Sequence, residues 1–172
     1  YMPVWIEAVP YDYVESLKTV EITLLAADGK EVVTTAGALG ITWENRELVT
    51  EALEIGTHGN IIERYKVMKD LEHENLTYDV ELGFDVSAIN DILVNQCTKY
   101  NRDAVNVSLK RENGTFQVVQ GQTGYKLDVE TSIDLVYDYL TTEWTGEAAD
   151  IRLNVAVEEP KGSAEELAQV KD

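Results

Sequence analysis

An alternating apolar run that closes on a turn dipeptide occurs twice in this chain, and that repetition constrains the fold more than any other feature. Val20-Glu-Ile-Thr-Leu-Leu-Ala-Ala-Asp-Gly29 aligns with Val105-Asn-Val-Ser-Leu-Lys-Arg-Glu-Asn-Gly114 at an offset of 85 residues. Side chains alternate between the two faces of a strand, and Asp-Gly and Asn-Gly supply the positive φ that a tight hairpin turn needs. Each run is therefore expected to fold back into a second strand, Glu31 to Thr35 and Thr115 to Gln120. A glycine then stands four positions ahead of an acidic residue in both copies, Gly40-Ile-Thr-Trp-Glu44 and Gly124-Tyr-Lys-Leu-Asp128. The expectation is that Gly29 superposes on Gly114 and Gly40 on Gly124.

Behind each acidic residue the apolar spacing changes from two to about 3.6, which marks a helix. Leu48, Val49, Ala52 and Leu53 carry it in the first copy, and Ile133, Val136, Tyr137 and Leu140 in the second. Asn45 or Glu44, and Asp128, stand where an N-cap side chain would accept from the free N–H groups of the first turn. The first copy adds a further amphipathic helix over Ile61 to Leu71. A strand comes after each copy: Leu76 to Phe84, with Tyr78, Val80, Leu82 and Phe84 on one face, and Ile151 to Val157, with Ile151, Leu153, Val155 and Val157 on one face. Ser87 then opens a helix over 88–99, and Ser163-Ala-Glu-Glu166 reads as a capping box. The predicted fold class is α+β: two related β-hairpin/helix repeats forming mixed sheets packed with helices, one sheet per repeat. The expected division is a first repeat at 1–74, a second at 75–160, and at 161–172 the start of a linker helix toward a further domain.

Charge narrows the partners. Fourteen basic and 32 acidic residues give a net charge of -18. Binding a phosphate backbone requires clustered Lys and Arg, so nucleic acid is excluded, and anionic lipid surfaces and polyanionic wall polymers are repelled in the same way. Basic or neutral ligands remain. No run approaches the ~18 uncharged apolar residues of a membrane span, so no direct membrane contact by this fragment is expected. The pattern is cut at Tyr1 and at Asp172, and the expectation is a piece of a longer protein whose targeting or anchoring segment lies outside it. Oligomeric state is not legible.

Chemistry-bearing motifs are sparse. Cys97 lies on a helical apolar stripe with Ile89, Ile92 and Leu93, which places the thiol in a core. The sequence contains no His-Glu-x-x-His, Cys-x-x-Cys, Gly-x-Ser-x-Gly or Walker pattern, and no catalytic residue or cofactor is assigned. Asp70-Leu-Glu-His-Glu74 lacks the oxygen spacing of a calcium loop, and His58 between two glycines suits a helix end better than a ligand, so no metal site is assigned.

The run Glu51-Ala-Leu-Glu-Ile-Gly56-Thr-His-Gly59-Asn60-Ile-Ile-Glu-Arg resembles the Ala-x-x-x-Gly-x-x-Gly-Asn junction of VanW-type exported Gram-positive proteins, although position 57 is Thr where many relatives carry a basic residue. Asp103-Ala104 through Asn113-Gly114, with Val118, Val119, Gly121, Gly124, Leu127 and Asp128, is similar to the peptidoglycan-binding module found upstream of VanW domains and of some L,D-transpeptidase domains. Ser163 to Asp172 is similar to the linker leading into a VanW domain. The resemblance covers roughly residues 19 to 172. It implies a noncatalytic, extracellular, cell-wall-associated module that binds peptidoglycan or positions a downstream VanW-type domain, anchored to the membrane through a segment outside this chain. A structural spacer or protein-interaction module with no glycan ligand is the alternative.

For a glycan or peptide-stem ligand the candidate contacts are aromatic, because sugar rings stack on exposed aromatic faces. Trp43 and Glu44 in one turn, and Tyr125 and Asp128 in the other, pair an aromatic ring with a carboxylate on glycine-bearing loops. Trp144, after the second long helix, is a further aromatic. Burial against the core is the competing role for Trp43, Tyr125 and Trp144.

Overall fold

The structure, a computed structural model, describes residues 5–55, 57–73, 79–163 and 165. Helix α1 (Trp5–Leu17) leads into the first hairpin, and Val14 and Leu17, three residues apart and so on one face, are buried. Strand β1 (Glu21–Leu25) pairs antiparallel with β2 (Glu31–Thr35), Ile22 opposite Thr34 and Leu24 opposite Val32. These four face the core and their neighbours do not, the alternation that period-two patterning demands. Each of Ile22 and Leu24, fully buried, contributes roughly 1.5–3 kcal/mol by removing its side chain from water. Asp28 and Gly29 turn the chain at φ 57° and 66°.

The second hairpin, β5 (Ser108–Glu112) with β6 (Thr115–Val119), closes on Asn113 and Gly114 at φ 48° and 83°. Both hairpins thus turn through two consecutive left-handed residues. The later glycines differ. Gly40 sits in a loop at φ +74°, whereas Gly124 opens strand β7 (Gly124–Leu127) in extended conformation, where a Cβ would run into the backbone of Ala104.

After the first hairpin come β3 (Thr42–Trp43), α2 (Glu47–Glu54), α3 (Ile61–His73), β4 (Leu82–Gly83) and α4 (Val86–Ile92). Helix α4 continues through one π turn at Leu93–Cys97 and one 3-10 turn at Thr98–Tyr100. Its cap is Asp85, whose side chain accepts from Ser87 N–H at 2.8 Å, so the helix opens ahead of the expected Ser87. The expected strand 76–84 is short: only Leu82 and Gly83 pair, residues 79–81 are irregular, and 74–78 lie outside the described residues. Most of the helix expected after Ser163 also lies outside them.

Helix α5 (Val129–Thr142) comes after β7 and packs on α4, burying Ser132, Val136 and Leu140. The expected strand 151–157 is two strands, β8 (Ala149–Arg152) and β9 (Val155–Glu158), that join different sheets. β8 runs parallel to β1, Leu24 against Ile151, and makes the three-stranded sheet β2-β1-β8. β9 runs antiparallel to β7, Leu127 against Val155. The break falls at Asn154, whose N–H donates to Ser132 Oγ at 3.0 Å and whose carbonyl accepts from Asp128 N–H at 2.9 Å. With these backbone groups held by α5 and its cap, the ladder cannot continue straight.

One sheet per repeat is therefore corrected: the described residues form one three-stranded sheet, built from both halves, and three two-stranded ribbons. The fold is α+β. Residues of the ranges 1–74 and 75–160 meet in one hydrophobic cluster: Leu17, Ile22, Leu24 and Leu39 from the first, Ile89, Leu93, Val136, Leu140 and Ile151 from the second.

Candidate functional site

The first candidate turn is held by Asn45. This residue is buried, and its side chain is a three-way tie: Oδ1 accepts from the Trp43 indole N–H at 2.8 Å and from Glu81 N–H at 2.9 Å, while Nδ2 donates to Asp79 O at 2.8 Å. A buried amide needs partners for both ends, and all three come from the ribbon that β3 makes with β4 and the residues leading into it. The expected N-cap role of Asn45 or Glu44 is thereby corrected. Helix α2 begins after Arg46 with no side-chain cap. Glu44 is exposed; its N–H donates to Glu81 O at 2.9 Å and its carboxylate accepts from the Thr42 hydroxyl. The Trp43 ring is half-buried.

The second turn is built around Arg102. Its backbone exchanges two hydrogen bonds with Tyr125, N–H to O at 2.8 Å and O to N–H at 2.7 Å. The guanidinium lies 5.1 Å from the centroid of the half-buried Tyr125 ring, and its Nε–H donates to Thr123 O at 3.0 Å. It also reaches Asp28 Oδ2 at 3.5 Å, linking the first hairpin turn to β7. That ion pair is largely open to water and adds little stability, whereas the stacked cation contributes about 0.5–1 kcal/mol.

Asp128 is exposed and caps α5 as the sequence suggests. Oδ1 accepts from Thr131 N–H at 3.2 Å, and Oδ2 accepts from the Thr131 hydroxyl at 2.8 Å and from Asn154 Nδ2 at 3.4 Å. The Thr131 hydroxyl and then its N–H favour the charged form, so the carboxyl is held below its ordinary value of 3.8. The structure thus puts Trp43 and Glu44 on the β3–β4 ribbon, and Tyr125 and Asp128 on the β7–β9 ribbon and the start of α5.

A cleft of about 360 Å³ lies between the end of α5 and the irregular segment leading into β4, lined by Val80, Glu81, Leu82, Leu140, Thr141 and Trp144. Trp43 is the cross-strand partner of Leu82, and directly opposed residues of an antiparallel pair share a face, so the first candidate turn borders this cleft. The sequence singles out Trp144 but not the cleft, because its two walls are some sixty residues apart and only the tertiary fold joins them.

Cys97 is fully buried, and that burial pushes its thiol up to about 11, so at neutral pH it carries essentially no thiolate. His58 is exposed, with Nδ1 3.1 Å from the Thr57 hydroxyl. The Gly59-Asn60 motif has a structural explanation that the sequence reading missed. Asn60 Oδ1 accepts from Ile62 and Glu63 N–H at 3.0 Å, and Glu63 Oε2 accepts from Asn60 N–H at 2.8 Å, a reciprocal cap at the start of α3 whose signal is Asn with Glu three residues later. Among the described residues no group of three or more His, Cys, Asp or Glu side chains is placed to hold a metal ion, and no helix is long and apolar enough to cross a membrane. The side chains of Asp70 to Glu74 lie outside the described residues.

A family described as "Putative peptidoglycan binding domain" matches residues 32–159, from β2 to just past β9. No curated protein and no solved structure matches the chain.

Proposed function

The chain belongs to this peptidoglycan-binding domain family, and from that membership we propose that it is a noncatalytic, extracellular cell-wall module that holds peptidoglycan. The observation that carries the reading is the extent of the match, which takes in the second hairpin, both candidate turns and the elements that position them. The charge of -18 fits a neutral or amine-bearing ligand better than an anionic one. On the resemblance of Glu51 to Arg64 and of Ser163 to Asp172, we further propose that the module positions a downstream VanW-type domain near its substrate, in a protein anchored to the membrane outside this chain. Contacts are proposed at Trp43 and Glu44, and at Tyr125 and Asp128, where a half-buried ring and an exposed carboxylate fall in the same short stretch of chain.

The second reading is a spacer or protein-interaction module without a glycan ligand. One observation favours it: the Trp43 indole N–H and the Asp128 carboxylate are already engaged in local bonds. Sedimentation of the purified chain with insoluble sacculi separates the two. Retention in the pellet, reduced by Tyr125→Ala with thermal unfolding nearly unchanged, is the expected result. If the chain stays in the supernatant, the glycan reading fails; if Tyr125→Ala pellets normally, the second turn is not a contact.

A further inference from the structure

We propose that the cleft between α5 and β4 is a glycan subsite that takes one uncharged N-acetylated amino-sugar ring, with Trp144 as its aromatic wall; this rests on the peptidoglycan reading above. The cleft, of about 360 Å³, lies at the small end of ligand pockets, suited to a single ring with its acetamido group rather than to a folded peptide stem.

Trp144 is held before any ligand arrives. Its indole N–H donates to Glu147 O at 2.6 Å, and its ring meets Phe84 edge to face, centroids 5.8 Å apart and planes at 70°. Its polar atom is engaged by backbone, so what the residue offers a ligand is apolar π surface, and little side-chain entropy is lost on binding. Val80 and Leu82, half-buried, add a little to that surface, Leu140 is buried and exposes almost nothing, and most of the exposed lining is polar.

The polar lining is all acceptor. The Thr141 hydroxyl directs its hydrogen to Tyr137 O at 2.9 Å, leaving its lone pairs free to accept. Glu81 adds an exposed carboxylate, and among the described residues none that lines the cleft is basic. A ligand here must present mainly uncharged donors, with a small apolar face for Trp144. The hydroxyls and acetamido N–H of an amino sugar supply the donors and its ring C–H face the apolar contact; a peptide stem also has amide donors, but its carboxylates would be repelled by Glu81. An ammonium group would find both the Glu81 carboxylate and the Trp144 face, but pairing with an exposed carboxylate gains little in water. Trp43, beside Leu82 on the same ribbon face, extends the surface along which a glycan strand would run.

The test uses the full chain, sacculus pelleting, calorimetric titration with tetra-N-acetylchitotetraose, and two variants that obstruct the cleft. Thr141→Arg fills it from the helix side, and Glu81→Lys reverses its charge from the exposed strand side. The expected result is that the chain pellets and binds the oligosaccharide, that both variants weaken both readouts by at least about tenfold, and that their melting curves match the wild type. If the wild type pellets and both variants pellet equally well, the cleft is overturned while the peptidoglycan reading stands. If the wild type pellets and the variants do not, yet chitotetraose is not bound, the sugar class is wrong. A wild type that does not pellet overturns the reading and the subsite together.

Discussion

In the first hairpin Ile22 and Leu24 are fully buried and β8 extends the sheet beside them; in the second, every residue from Ser108 to Gln117 is exposed except the half-buried Leu109. The two share their turn chemistry, a pair of left-handed residues ending on glycine. They part at the two residues between the alternating run and the turn. Ala26 and Ala27 are buried, and their aligned counterparts Arg111 and Glu112 are exposed charges. Arg111 covers Phe116, its cross-strand partner, with the guanidinium 5.6 Å from the ring centroid, and Lys110 pairs with Glu112 at 2.9 Å. A charged hairpin end keeps a ribbon in water, whereas small apolar residues let other elements close over it. Turn residues therefore decide that a hairpin forms, and the residues just before the turn decide whether it becomes core.

The sharpest way to break this comparison is to truncate equivalent leucines. Leu24→Ala should cost about 2–5 kcal/mol, because it leaves a cavity at the centre of the three-stranded sheet. Leu109→Ala, from a half-buried ribbon, should cost less than about 1 kcal/mol. Urea unfolding with unchanged m-values measures both, and equal losses would mean that the second hairpin is as much a part of the core as the first.

A smaller effect tests the two candidate turns. Asn45→Ala strands the Glu81 N–H, the Trp43 indole N–H and the Asp79 carbonyl, and should cost about 2–3 kcal/mol. It should also widen the cleft wall at residues 80–82, read as a change in Trp emission. An unchanged melting curve would show that the tie does not hold the ribbon.

The smallest effect belongs to Asp128. Its folded pKa is held below the ordinary 3.8, so the cap is at full strength above that value and is lost as pH falls through the folded pKa. Asparagine caps helices about as well and does not titrate there. Asp128→Asn should therefore melt close to the wild type at pH 7 and lose less stability than the wild type on acidification below about pH 4. Parallel pH profiles would remove the carboxylate from the account of acid unfolding.

Much of the local structure is legible in the sequence. Both hairpins, the helices carrying Ala52 and Val136, the Asp128 cap and the burial of Cys97 come from spacing and turn chemistry, which act over a few residues. The rest depends on partners far along the chain. Asn45 has the composition of a cap and the position for one, but Asp79 and Glu81 recruit it into a ribbon. Ile151 to Val157 alternates without interruption, yet Ser132, twenty-two residues earlier, holds Asn154 and splits the run between two sheets. Helix α1, whose buried Val14 and Leu17 fall on one face, lies ahead of the first alternating run as α4 and its continuation lie ahead of the second, a correspondence the sequence reading did not draw. Of the candidate site, the aromatic residues are visible in the sequence and the cleft is not, because Leu82 and Trp144 meet only after α5 has packed.

β1 is the only strand in the three-stranded sheet with a neighbour on each side, yet it precedes the residues at which the family match begins. A fragment cut at Val32 would keep β2 and β8 and lose the strand that both bond to, exposing two rows of unpaired N–H and carbonyl groups and opening Ile151 to solvent. The span matched by the family thus leaves out the strand at the centre of this sheet. The same cut would also remove the buried Val14 and Leu17 of α1.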